Sequence, residues 1–136
     1  MTVGFKVKQY WYEVGEGSFL HSFFSTVCYH LEDSRWGSKF PYIMNKLYYK
    51  KLNRRDIAKA IKELEDIKDG LKNFSPNQVI WNIENLELKP PWGNNITEEI
   101  TSLENYYVTS NGKDFFSVFE EALLKAQELR TDITIE

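Results

Sequence analysis

A chain of 136 residues and 16.1 kDa has the size of one domain, and its 42% hydrophobic and 27% charged residues exclude disordered and collagen-like classes. A single cysteine excludes an intrachain disulfide and a multi-cysteine zinc site. A net charge of -3 argues against a nucleic-acid binder, whose domain is normally basic.

Residues 3–14 place Val3, Phe5 and Val7 on one side and Lys6 and Lys8 on the other, and then continue with the β-formers Tyr10, Trp11, Tyr12 and Val14. This predicts one long first strand, ended by Gly15-Glu16-Gly17. Residues 18–32 carry Phe19, Leu20, Phe23, Phe24, Val27, Cys28 and Leu31 on a broad helical face, with Ser18 as a cap. Asp33 to Ser38 reads as loop. Pro41 suits a first helical turn, and Phe40, Ile43, Met44, Leu47 and Tyr48 mark a short second helix. Asn53 can cap a third, in which Ile57, Ile61, Leu64, Ile67, Leu71 and Phe74 recur at three and four. Its pattern runs on through Gly70, with Lys59/Glu63 and Lys62/Asp66 as outer-face pairs.

Ser75-Pro76 stops that helix, and residues 78–85 predict a second strand with Val79, Trp81 and Ile83 on one face. Pro90-Pro91-Trp92-Gly93-Asn94-Asn95 reads as a rigid loop. A third strand is expected over 100–109 and a turn at Ser110-Asn111-Gly112. Gly112 or Asp114 opens a last helix with Phe115, Phe119, Ala122, Leu123 and Ala126 facing in, and 131–136 reads as a short final strand. The order β-α-α-α-β-β-α-β predicts an α+β fold: one domain over 1–136, a mostly antiparallel sheet of about four strands, and helices on one face.

Catalytic and metal constellations are scarce. His21 and Cys28 lie two helical turns apart, too far to chelate alone, and His30 points elsewhere. Cys28 sits at the edge of an apolar face, which raises a thiol's pKa rather than activating it. There is no phosphate loop, Gly-x-Ser-x-Gly elbow or Gly-x-Gly-x-x-Gly. Glu98/Glu99 and Glu120/Glu121 are adjacent on the chain and read as solvated surface. No enzyme, cofactor or metal is expected. The N-terminus lacks a long apolar run, and no stretch approaches the ~18 apolar residues of a membrane span. A soluble protein of the reducing cytoplasm is the expectation.

Two features point towards a protein partner. Aromatic residues reach 15%, and two tryptophans sit in Gly- and Pro-containing loops, Trp36-Gly37-Ser38-Lys39-Phe40-Pro41 and the one at Trp92. Such a tryptophan either anchors its loop to the fold or serves as a rigid interface hot spot. The charge is also lopsided. Residues 1–60 hold ten Lys/Arg against five Asp/Glu, and residues 61–136 hold seven against fifteen. The basic cluster around Lys46 to Lys62 is either a solvated helical surface or a steering field, and the acidic half suits a basic partner.

The runs FLHSFFSTVCYHLE at 19–32, WGSKFPYIMNKLYYKKL at 36–52, FSPNQVIWNIENL at 74–86, PPWGNNIT at 90–97 and NYYVTSNGKDFFSVFEEAL at 105–123 resemble the bacterial immunity protein 70 family over nearly the whole chain. The resemblance implies a cytoplasmic immunity protein that binds the toxic C-terminal domain of a cognate polymorphic toxin, with no catalytic residues to carry over. Trp36, Lys39 and Trp92 belong to the matching pattern. For a basic toxin, Glu84, Glu87, Glu98, Glu99 and Glu104 are the expected acidic contacts. A non-catalytic adaptor of other function is the competing reading. Neither reading includes nucleic acid or membrane as partner, and the oligomeric state stays open.

Overall fold

The computed structural model describes residues 1–93 and 95–136. The α+β expectation holds, but the sheet has three strands and a different order. The expected single strand over 3–14 is a hairpin of β1 (Thr2–Val7) and β2 (Tyr10–Glu16), in register Val7↔Tyr10 and Phe5↔Tyr12. Its two-residue loop begins at Lys8 with φ 54, a left-handed position that usually carries Gly, Asn or Asp. Without one of those residues the reversal has no turn signature. The C-terminal strand is β3 (Thr134–Ile135), which pairs antiparallel with the other edge of β1 and gives the order β2-β1-β3.

Three 15-residue helices build the core with this sheet: α1 (Gly17–Leu31), α2 (Ile57–Leu71) and α3 (Phe115–Leu129). Phe5 of β1 stacks on Phe119 at 4.4 Å between ring centroids, and Phe23 of α1 meets Phe115 at 4.6 Å. Much of the aromatic excess therefore lies in the core, where each ring buries a large area. On the opposite face of the sheet Lys6 and Trp11 pair across the strands and stay exposed. Asp114 caps α3 by accepting the Ser117 amide at 3.1 Å. Asn53 caps a 3-10 turn, Arg54–Asp56, that leads into α2. The helix passes through Gly70 as expected but ends at Leu71 rather than Phe74.

The strands expected at 78–85 and 100–109 are absent. Among the described residues of 79–114 there is no helix or strand, only an isolated bridge between Val108 and Asp114. The alternation of Val79, Trp81 and Ile83 does mark a segment fixed against the fold, but its hydrogen bonds go to hydroxyls instead of a neighbouring strand. The Ile80 carbonyl accepts from Ser22 Oγ at 2.9 Å and Thr26 Oγ1 at 3.2 Å, while its amide donates to Thr26 Oγ1 at 3.0 Å. The Ile83 amide donates to Ser25 Oγ at 3.1 Å. Tyr107 Oη completes the network, 2.8 Å from Thr26 Oγ1 and 3.1 Å from Ser22 Oγ. The expected turn at Ser110-Asn111-Gly112 is present, with Gly112 at φ 83.

The second helix is a wide π-helical turn, Tyr42–Leu47. One turn of apolar spacing cannot distinguish this from an α-helix. Two buried carboxylates hold its entry. Glu32 accepts from the Gly37, Lys39 and Phe40 amides at 3.0, 2.9 and 2.9 Å, and Glu63 accepts from Tyr42 and Ile43 at 3.2 and 2.9 Å. Glu63 is thus not the outer-face partner of Lys59, whose ammonium bonds Tyr42 Oη instead. The Lys62–Asp66 pair forms as expected, at 3.2 Å. Gly37 takes φ 77, and a Cβ there would collide with the Asn45 side-chain amide. Glycine is therefore required at this position.

Two measurements test these networks. Tyr107→Phe leaves the buried Ser22 and Thr26 hydroxyls one partner short, and thermal unfolding should show a loss of roughly 1–3 kcal/mol. An unchanged midpoint would show that the hydroxyl is dispensable. Burial raises the Glu63 pKa above its ordinary 4.5, the amides of Ile43 and Tyr42 opposing the rise. A raised carboxyl pKa in the folded state makes ionisation costly there, so this residue's contribution to stability falls as pH rises above about 4.5. Measured by urea unfolding, wild type should lose stability relative to Glu63→Gln between pH 4 and pH 7. A pH-independent difference would contradict the assignment.

Candidate functional site

The segment 79–114 runs over α1 and is held there by Ser22, Ser25, Thr26 and Tyr107. Among its described residues there is no helix or strand, and a loop of this length in a compact domain is usually either functional or a linker. Its most built feature surrounds Trp92. The indole Nε1 donates to Tyr106 Oη at 2.8 Å, and the ring meets Trp81 edge-on at 5.4 Å. Both contacts fix the ring, yet Trp92 remains 38% exposed. Burial raises the Tyr106 pKa, so its hydroxyl stays protonated and neutral at physiological pH.

Two depressions meet at this side chain. One, about 240 Å³, is lined mainly by Phe19, Trp81, Pro91, Trp92 and Val108. The other, about 220 Å³, lies between Phe19, Trp92, Ile96, Ile100, Tyr106 and Val108. Phe19, Trp92 and Val108 border both and form a ridge between them. Val108 is 45% exposed. A larger groove of about 580 Å³ along α3 has a different character. It is lined by Lys68, Glu120, Glu121, Leu124, Lys125 and Glu128 among others, and its charges are partly matched internally. Lys125 pairs with Glu128 at 2.8 Å, and Lys68 pairs with Glu104 at 3.8 Å.

The candidate residues separate into distinct settings. Trp36 is half-buried, stacks near Phe24 and His21, and donates from Nε1 to the Met44 carbonyl at 2.8 Å. It holds the π-helical turn and shares no ring partner with Trp92. Lys39 gives its amide to Glu32, and its exposed ammonium lies 5.5 Å from the Phe40 ring centre. Glu104 is engaged with Lys68. Glu84, Glu87, Glu98 and Glu99 are exposed, and none forms an ion pair among the described residues. Of the loop at 90–95, Asn94 lies outside the described residues.

The chain pattern did not single out Phe19, Trp81, Tyr106 or Val108 for this site. Phe19 reads as core on helical spacing, but it is only half-buried and turns one side to the cleft. Tyr106 and Tyr107 fall within the strand expected over 100–109, yet they lie outside any strand and are both buried, one holding Trp92 and the other α1. Among the described residues no group of three or more His, Cys, Asp or Glu side chains could hold a metal ion, and no helix is long and apolar enough to cross a membrane. His21 Nδ1 is 2.9 Å from Tyr48 Oη, and His30 Nε2 is 2.7 Å from the Gln78 carbonyl.

Comparison with known proteins yields one match. A family model described as Immunity protein 70 matches residues 5–135. No curated protein and no solved structure matches.

Cys28, the one thiol in the sequence, is buried in α1, and burial, with a smaller contribution from the Glu32 charge, pushes its pKa up to about 11. At pH 7 almost no thiolate is present, and reagent has no access. A neutral disulfide reagent should therefore label native protein far more slowly than urea-unfolded protein. Comparable rates in the two states would require an open, ionised thiol and contradict this burial.

Proposed function

Because the chain belongs to the immunity protein 70 family, we propose that it protects its producer by binding the toxic C-terminal domain of a cognate polymorphic toxin in the cytoplasm. The observation that carries this reading is the family match across residues 5–135. Neutralisation proceeds by occlusion, with no bond made or broken by this chain. The immunity protein holds the toxin domain through a protein–protein interface and keeps its working surface from substrate. A stable interface of this kind covers about 800 Å² on each partner, far more than any single depression here provides. The contact therefore extends over loop and helix surface around whichever pockets anchor it.

Two features support a binding role. Described residues of 79–114 are tied to α1 through side-chain hydrogen bonds, which favours a preformed surface that loses little conformational entropy on association. Its acidic side chains suit a basic toxin such as a nuclease and would speed capture by long-range attraction. Trp92, Glu84, Glu87, Glu98 and Glu99 are the proposed contacts. Trp36 and Lys39 belong to the loop that Glu32 organises, and they contribute to the interface only if it reaches that side of α1.

Co-expression tests the reading. The toxic C-terminal domain encoded beside this gene should arrest a sensitive cell, and the present chain should restore growth and co-purify with the domain. Arrest that persists, with no complex recovered, would overturn the immunity reading and favour an adaptor of other function.

A further inference from the structure

We propose that the cleft at Trp92 is where the toxin domain docks, and that its occupant is a basic segment inserting one large apolar side chain into a depression bordered by Phe19, Trp92 and Val108. This rests on the immunity reading above and specifies the surface and the partner chemistry.

Three observations carry it. The first is size. Taken singly, each of the two adjoining depressions, at about 240 and 220 Å³, is smaller than the roughly 300–1,000 Å³ of a drug-sized small-molecule site. A single anchoring side chain fits such a volume, as at the centre of many protein interfaces. The second is preorganisation. Trp92 is held by Tyr106 Oη and Trp81, so its exposed face is set before any partner arrives. The third is charge. Residues 79–114 contain six Asp/Glu against the two lysines Lys89 and Lys113. Glu98 and Glu99 lie in the chain between Thr97 and Ile100, which line the smaller depression, and form no ion pair among the described residues. An apolar floor with the unmatched Glu98 and Glu99 beside it in the chain complements an apolar anchor flanked by Lys or Arg. The groove along α3 differs in that Lys68 and Lys125 stand among its glutamates, so its lining carries both signs of charge.

The experiment measures binding kinetics of the full chain against the purified C-terminal toxin domain encoded beside its gene. Val108→Arg places a cation on the ridge and should weaken binding about tenfold or more, mainly through faster dissociation. The paired reversal Glu98→Lys with Glu99→Lys alters exposed side chains only and should slow association, with the effect shrinking as salt rises. Leu124→Arg, in the α3 groove, should bind like wild type. If both cleft variants bind as wild type does while wild type still protects cells, the docking surface is overturned and the immunity reading stands. Unchanged association of the double reversal at low salt overturns the basic-segment assignment, and this readout serves even if Val108→Arg does not fold. Failure of wild type to bind the toxin domain overturns the immunity reading and the docking surface with it.

Discussion

The Tyr107 hydroxyl lies against the side chains of Ser22 and Thr26, and the organisation of the irregular segment over α1 depends on that buried contact. α1 is buried on nearly every side from Ser22 to Cys28, so a polar residue there needs a partner inside the protein. Ser22, Ser25 and Thr26 find theirs in Ile80, Ile83 and Tyr107. The helix thus does for the irregular segment what a neighbouring strand would otherwise do, accepting from its amides and donating to its carbonyls. With Tyr107 drawn in, Tyr106 beside it on the chain is held where it can take the Trp92 indole.

The other long connection is organised differently. Residues 37–43 present five amides to two carboxylates, three to Glu32 and two to Glu63. Bonds from amides to a carboxylate are individually strong and partly offset the cost of burying the acids, although for Glu63 burial still outweighs them. Hydroxyls serve on the Trp92 side and carboxylates on the Trp36 side. A small three-stranded sheet cannot satisfy so much irregular backbone, and buried side chains supply the missing acceptors and donors. Among the described residues no buried side-chain polar atom is left without a partner.

The two tryptophan loops, alike as sequence, therefore differ in role. Trp36 closes on its own turn through the Met44 carbonyl, stacks within the α1 aromatic cluster and keeps the fold together. Trp92 is tied at one edge and open at the other. Placing both rings under the same alternatives, anchor or hot spot, was as far as local composition allowed, because Gly and Pro beside a tryptophan stiffen a loop whichever way the ring turns. The difference lies in what α1 offers each loop from a distance.

The helices were legible because apolar spacing over fifteen residues, with caps such as Asp114 and a stop at Ser75-Pro76, is a local property of the chain. The family was legible for a related reason: ordered runs such as WGSKFPYIMN and PPWGNNIT lie in the linear order of residues. The hairpin at Lys8, the absence of strands over 78–85 and 100–109, and the burial of Glu63 were decided by tertiary structure. An alternating segment is extended either way, and whether it becomes a strand depends on what pairs with it. Here the partners of Ile80 and Ile83 are hydroxyls more than fifty residues away in sequence. A glutamate four residues from a lysine on a helix can reach solvent or turn inward, and five amides gathered around two acids settled that choice. The exposure of Trp92 was decided by long-range contacts of the same kind.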